Sequence, residues 1–579
     1  MSIQPPQELH KGVRKVQLFK KVWTKVNKNV IFGGLVMISW VSTWDANINA
    51  TVTPTVTSLL QANNIASILS TVMHILQVCL IPLYSKVSDF TGRAETYTFA
   101  LVLYMVSFVV MATTNNYDTL VGGRVVYGVG KSGCSILAPI LIGDMTSVIT
   151  RGLMQALYNI PALFGILVAP KVGGVLLDNG LWRWAYGITP ILLLATGTPL
   201  ICSLWHVEFK VRRILKSEQL SEKTTQEKKS FCQQVLWVIT EIDLIGTILL
   251  VAGLCLILLP CVLANTRWGG WGSAITIGTL VSGLVSWILF ALWEWKGAIK
   301  PLIPVIHWES RTPIWGTLAT ITLHMIGTAN WQYFLTYLQV SRKASPEKAT
   351  YLERGYSVLY IIIQPLVGYL MKRTRVWRPF IWVGTALLLI GVGLMIPARL
   401  PTSSDAFVVI SQAIAGLGSG MLDVPLLVAV QSSVPHNDLS IVTALQQMGG
   451  SLGSAIGSTL AGAIWNAMLP GQIEKYVPGE YDYKKIVQSI EYAINLPDEQ
   501  YNAVVVAYGE VQRVISIIAV CVASLTFFFS LPMRSFGLDE SEEDRIKANA
   551  GSTTATKNHE GDSTKYDLTS LEASHKSNI

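Results

Sequence analysis

The chain has 579 residues, of which 51% are hydrophobic and 14% charged, against the roughly one quarter charged that is usual in a soluble protein. At about 20 residues per membrane-spanning helix, this apolar content can furnish about fourteen spans. Forty-four Lys and Arg outnumber 36 Asp and Glu, and the composition as a whole excludes a soluble enzyme, a DNA-binding protein and a disordered scaffold.

Residues 1–29 are basic, with seven Lys or Arg and no apolar core. No cleavable signal peptide is expected there, and the first span has to serve as the insertion signal. Apolar runs at 30–48, 65–84, 97–114, 119–142, 153–176 and 184–205 predict a first six-helix bundle over 30–205. A basic, helical connector follows at 206–243, then two additional spans within 244–293 (244–264 and 274–293). Runs at 313–337, 355–371, 380–397, 405–430, 439–465 and 512–533 predict a second six-helix bundle within 294–533. Residues 467–511 form a Tyr-rich outer loop between the last two spans, and 534–579 a Ser/Thr/Asn-rich tail expected to be disordered. In that tail Ser541 precedes Glu542, Glu543 and Asp544, a context that suits phosphorylation by an acidophilic kinase and equally an unmodified solubilising tail.

An even number of spans puts both termini on one side. With that side cytosolic, inner segments carry 30 Lys or Arg and outer segments 10, so both termini are expected in the cytosol. The outer segment 338–354, with Arg342, Lys343, Lys348 and Arg354, runs against the trend. The seven cysteines show neither metal-ligand spacing nor a disulfide framework. Asn49-Ala-Thr51 is a glycosylation sequon too close to the membrane for efficient transfer, and no glycan is expected on it.

Three local patterns carry chemistry. The loop after span 2 reads Asp89-Phe-Thr-Gly92-Arg93, a carboxylate and a guanidinium around a glycine turn, able to link two helix ends as a gate. Span 4 places Arg124, Tyr127, Gly128 and Lys131 on one helical face. Span 5 carries Gly165, Ala169, Pro170, Gly173 and Gly174, small residues and a proline that let helices approach closely, with Lys171 among them. In this order the three patterns resemble the signatures of the major facilitator superfamily, with Phe90 where a basic residue is usual and Ala169 where a glycine is.

Further positions resemble the fungal siderophore-iron transporters, the fourteen-span type of that superfamily. They are Asp243-Leu-Ile-Gly246, Trp293-Glu-Trp-Lys296, Pro301-Leu-Ile-Pro304, Gly416-Leu-Gly-Ser-Gly420, Gln431-Ser-Ser-Val-Pro-His436 and Gly462-Ala-Ile-Trp465, together with the Tyr-rich loop. The likeness runs over about 30–535. It implies an all-α membrane protein with the major facilitator fold, two six-helix bundles plus two extra spans. It also implies a monomeric secondary transporter that imports ferric siderophores with protons, needing no cofactor and no protein-bound metal. The plasma membrane is the expected location, with a vacuolar or endosomal membrane as the alternative. A similar branch exchanges glutathione for protons, and the span-5 pattern is typical of antiporters, so export of drugs or glutathione stays open. A non-transporting nutrient receptor is the alternative of another class. The chain has no nucleophile elbow, phosphate loop or nucleotide-binding domain, which argues against an enzyme or an ATP-driven pump, and no nucleic-acid partner is expected.

An ionised group at bilayer depth has to face a cavity or a partner. The candidates are Asp45 beside Trp44 in span 1, Arg124 and Lys131 in span 4, Lys171 in span 5 and Asp423 in span 12. Asp45 is expected to pair with the Arg124/Lys131 face, and Asp45 or Asp423 to carry the coupling proton. Two readings stay open for Arg124 (cavity or packing bridge), for Lys171 (cavity or snorkelling to the interface) and for His74 and His324 (packing or proton relay). Trp331, Tyr333, Phe334, Tyr337, Tyr356 and Tyr360 crowd the outer halves of spans 9 and 10. They are expected to form an outer vestibule that touches a flat chelate, or an interfacial belt.

Overall fold

The structure is a computed structural model and describes residues 24–59, 66–221, 240, 243–264, 268–298, 310–344, 346–434, 438–488, 490–534 and 536–538. Ser541 with the tail around it, the basic stretch 1–23 and the middle of the connector lie outside the described residues. Met1–Arg534 form one compact unit, which holds every helix below, and Ser535–Ile579 a second.

The helices are α1 (Lys25–Leu59), α2 (Ala66–Phe90), α3 (Arg93–Ala112), α4 (Tyr117–Met145), α5 (Val148–Asn159), α6 (Ala162–Asp178) and α7 (Trp182–Ser221). Then come α8 (Leu244–Leu263), α9 (Ala274–Leu292), α10 (Thr312–Trp331), α11 (Phe334–Arg342), α12 (Pro346–Glu353) and α13 (Gly355–Thr374). The chain closes with α14 (Arg378–Ala398), α15 (Asp405–Ser432), α16 (Leu439–Tyr476), α17 (Tyr483–Gln488), α18 (Ile490–Ile494) and α19 (Asp498–Ser530). No strand occurs among the described residues. Each of the fourteen predicted runs falls on a helix or on two successive helices.

Ten stretches of the described residues are helical, long and apolar enough to cross a membrane. Helices α1, α2, α10 and α13 are at least 20 residues long and stand outside those ten; they carry Asp45, His74, His324 and Gln364. Side-chain caps fix several helix starts. Asn116 accepts from the Thr119 amide at 2.8 Å, Ser404 from Phe407 at 3.2 Å and Asp243 from Gly246 at 3.2 Å, each satisfying an amide that the first turn leaves unpaired.

Some boundaries differ from those read in the sequence. Span 5 is two helices, α5 and α6, because Pro161 has no N–H to continue the ladder. Span 9 breaks at Gln332–Tyr333 into α10 and α11. Helix α7 runs on to Ser221, so the connector begins as a continuation of span 6. The expected long outer loop shrinks to residues 477–497, because α16 extends to Tyr476 and α19 starts at Asp498. Hydropathy marks where a helix leaves the apolar layer, and a helix can continue well past that point.

Helix pairing repeats between the halves. In the first half α1 packs on α6 and α7, α3 on α4 and α7, and α2 on α4. In the second half α10 packs on α16 and α19, α14 on α15 and α19, and α13 on α15. These lists are the same list, with α10 in the place of α1 and α15 in the place of α4. The halves meet along two seams that obey the same correspondence, α2 against α16 and α5 against α13. The α8–α9 hairpin lies over the first seam, with α8 touching both α2 and α16, while α9 turns Ile275, Val281, Leu284 and Ile288 outward.

Small residues make these pairings close. A Cβ on Gly130 of α4 would sit 2.4 Å from the Tyr104 backbone nitrogen of α3. Gly130→Val is therefore expected to lower the unfolding midpoint of the detergent-solubilised protein by roughly 5 °C or more, or to prevent folding. Gly122→Ala, where a Cβ meets nothing within 4 Å, is expected to leave the midpoint unchanged in the same thermal melt.

Candidate functional site

In the first half the polar cluster centres on Asp45 of α1, whose carboxylate is fully buried. The close α3–α4 approach at Gly130 brings two tyrosines to it. Tyr104 donates its hydroxyl to Oδ2, and Tyr127 donates to Oδ1 at 3.1 Å. Lys131 Nζ reaches the same Oδ1 at 3.1 Å, the Tyr127 hydroxyl at 2.5 Å and the Ser42 carbonyl at 3.4 Å. The three ammonium protons and both carboxylate oxygens thus have partners, which is what a buried ion pair needs to offset its desolvation. Arg124 is also buried and lies over the Tyr127 ring at 5.9 Å. Sequence reasoning placed Arg124 and Lys131 on one face; in the structure Lys131 reaches the carboxylate and Arg124 stacks beside it. Trp44 is buried with its ring 6.2 Å from that of Trp40. Gly165 of α6 explains its position, since a Cβ there would sit 2.8 Å from the Trp44 backbone nitrogen.

In the second half Asp423 of α15 is partly exposed. Its Oδ2 accepts the Tyr360 hydroxyl at 2.8 Å and the Gln364 amide at 3.2 Å. Gln364, itself fully buried, accepts at its Oε1 from the Asn159 amide of α5 at 3.0 Å. A single hydrogen-bonded chain therefore runs from the carboxylate across the α5–α13 seam into the other half. Among the described residues Asp423 makes no ion pair, unlike Asp45.

The aromatic residues form two stacks. Trp331 packs on Tyr356 at 4.4 Å, and Tyr356 on Tyr360 at 5.9 Å, so this column ends at Asp423. Tyr333 stacks on Trp465 at 4.6 Å and 7°, and Trp465 on Tyr508 at 5.1 Å. The expected vestibule residues divide accordingly. Trp331, Tyr333, Tyr356 and Tyr360 are half-buried, whereas Phe334 and Tyr337 are buried in the core, Tyr337 with its hydroxyl on the Arg399 carbonyl. Tyr337 is therefore corrected from a vestibule wall to a core residue, because α11 turns it toward α14. Lys171 is exposed on α6. Outside the spans, burial pushes the Glu353 carboxyl of α12 above its ordinary value, while neighbouring Arg354 pulls it down.

The glycine turn at 92 adopts φ 131°, a left-handed conformation that suits glycine. It folds α3 back so that Arg93 bridges Asp89 at 2.8 Å and Asp144 of α4 at 3.3 Å. Asp89 in turn accepts from the Ser440 hydroxyl at 2.6 Å, and Ser85 donates to the Ser440 carbonyl at 3.0 Å. The Asp89–Gly92–Arg93 motif thus ties the end of α2 to the start of α16 in the opposite half. Sequence reasoning missed Asp144, Ser440, Gln364 and Asn159, which are ordinary polar residues distant in the chain and carry no motif.

Residues 35–458 match the family profile described as Major Facilitator Superfamily. Similar curated proteins extend over nearly the whole chain. The siderophore iron transporter mirC of Emericella nidulans is 27% identical across 92% of this chain and 89% of its own length. The MFS siderochrome iron transporter C of Aspergillus fumigatus is 27% identical across 93% and 88%. Siderophore iron transporter 1 of Schizosaccharomyces pombe is 26% identical across 90% and 84%.

The Asp45–Lys131 geometry makes a quantitative claim. Asp45→Asn or Lys131→Met alone strands a buried charge and is expected to cost about 3 kcal/mol of stability. The double variant removes both charges and should recover most of that loss in a denaturation series. Losses that simply add would show that the pair does not hold the site together.

Proposed function

The chain belongs to the major facilitator superfamily, and on that premise we propose that it imports ferric siderophore chelates together with protons. One observation carries the substrate class: the likeness to relatives named for siderophore or siderochrome iron covers 92% or 93% of this chain in the first two and 89% or 88% of their own lengths. The site is consistent with that cargo. A siderophore brings its iron fully wrapped, so the protein meets an organic shell, and the half-buried rings of Trp331, Tyr356 and Tyr360 offer flat surfaces for it.

The two carboxylates divide the remaining work. Asp45 is locked to Lys131 and supplies a fixed, internally neutralised polar centre. Among the described residues Asp423 has only neutral donors, and it is the group proposed to take up and release the coupling proton. A proton on Asp423 turns an acceptor oxygen into a donor, which changes what Gln364 can bond and, through it, Asn159 across the seam. Proton binding is thereby linked to the contact along which the halves must rock. At the other seam, the Asp89–Arg93 motif with Ser440 holds one end of the halves together until that contact is released. The span-5 pattern that favoured an exporter has a packing explanation at Gly165. The transporter is proposed to act as a monomer in the plasma membrane, with both termini in the cytosol.

In cells without other uptake systems, radio-iron supplied as ferrichrome or ferrioxamine B is expected to accumulate, and a protonophore to abolish the accumulation. No accumulation from either chelate, with the protein confirmed at the surface, would shift the reading to a proton antiporter. The Asp45→Asn/Lys131→Met double variant is expected to reach the surface and still fail to accumulate iron; normal uptake would make the pair purely structural.

A further inference from the structure

Arg399 follows the last residue of α14 and is 2% exposed. Among the described residues it makes no ion pair. An unpaired charge in such a place costs several kcal/mol, so its contacts have to account for it. Nη2 donates to the carbonyl of Asn330, in the last turn of α10. Nη1 donates to the Gln512 side-chain oxygen at 2.6 Å and to its carbonyl at 3.2 Å on α19. The guanidinium lies over the Phe334 ring at 4.5 Å, and the Arg399 carbonyl accepts the Tyr337 hydroxyl. Asn330 and Phe334 stand on opposite sides of the break between α10 and α11, so a single side chain grips both. Asn330 is held further by Ser516 of α19, which donates to its Oδ1 at 3.2 Å.

The break is where the aromatic walls begin. Trp331 adjoins Asn330 and packs on Tyr356 of α13, with its indole nitrogen donating to Gln412 of α15 at 3.0 Å. Tyr333 adjoins Phe334 and turns to Trp465 of α16. Neither Pro nor Gly lies between Asn330 and Phe334, so the local sequence does not impose the break. A carbonyl left open at the break needs a donor from elsewhere in the fold; one arm of the planar guanidinium supplies it to Asn330, while the other arm is held in a set direction by Gln512 of α19.

We infer that Arg399 is a positioning residue for substrate, fixing the α10–α11 break so that Trp331 and Tyr333 present their rings to the chelate. The inference rests on the import reading above and adds to it the residue that sets affinity.

The test is the concentration dependence of radio-iron uptake from ferrichrome, normalised to surface protein, in wild type, Arg399→Met, Arg399→Lys, Gln512→Leu and Tyr337→Phe. Arg399→Met is expected to raise KM about tenfold with the maximal rate per surface molecule within about twofold, the signature of lost binding rather than lost turnover. Arg399→Lys should fall between wild type and Met, because an ammonium can keep one carbonyl bond but cannot reproduce the fork. Gln512→Leu and Tyr337→Phe should raise KM by less, and they decide the matter if Arg399→Met does not reach the surface. Unchanged KM in the variants that reach the surface, with losses confined to surface level or maximal rate, would overturn the inference and leave Arg399 a stabilising residue. If wild type accumulates iron only from ferrioxamine B, the same series is read with that chelate; absent uptake of both chelates in wild type is a separate result that would overturn the import reading, and the inference with it.

Discussion

A charge or an open hydrogen bond inside a hydrocarbon layer has to be answered by the protein itself, since no water is available there. Most of the specific geometry in this chain follows from that constraint. Asp45 has Lys131, Tyr104 and Tyr127 around it, and bringing those groups together requires α3 and α4 to touch at Gly130. The break between α10 and α11 frees backbone carbonyls, and Arg399 is buried beside them. Close helix packing and buried polar chemistry are therefore one requirement seen from two sides.

The repeated pairing of helices shows where the halves are alike and where they diverge. Helix α15 takes the place in the second half that α4 takes in the first. Yet α4 brings the cation Lys131, satisfied by a carboxylate, while α15 brings the carboxylate Asp423, satisfied by neutral donors. The same scaffold thus holds a closed ion pair on one side and a carboxylate held by neutral donors on the other. The seams differ too. The α2–α16 seam is covered by the α8–α9 hairpin, and the α5–α13 seam carries the Asn159–Gln364 bridge to Asp423.

The sequence made the architecture legible because fourteen apolar runs leave few alternatives, and because a charge within such a run stands out. Asp45, Lys131 and Asp423 were visible for that reason. The Asp89–Gly92–Arg93 turn was visible because a glycine between opposite charges is a local pattern. Neutral partners were not visible: Asn159 and Gln364 are 205 positions apart, and either amide alone is unremarkable. Arg399 was hidden by its position, since a cation at the end of an apolar run beside Pro401 reads as an interfacial residue. The α10–α11 break has no Pro or Gly to announce it, and the exposed Lys171 and buried Tyr337 depend on helix rotations that hydropathy does not fix.

The proposed role of Asp423 as proton carrier is tested most directly in proteoliposomes. Ferrichrome is added outside vesicles containing a pH-sensitive dye, with wild-type or Asp423→Asn protein inserted in known orientation. Wild type is expected to move protons inward with the chelate, whereas Asp423→Asn lets the chelate equilibrate without proton movement and without accumulation. Proton movement in Asp423→Asn equal to wild type, at equal chelate flux, would contradict it.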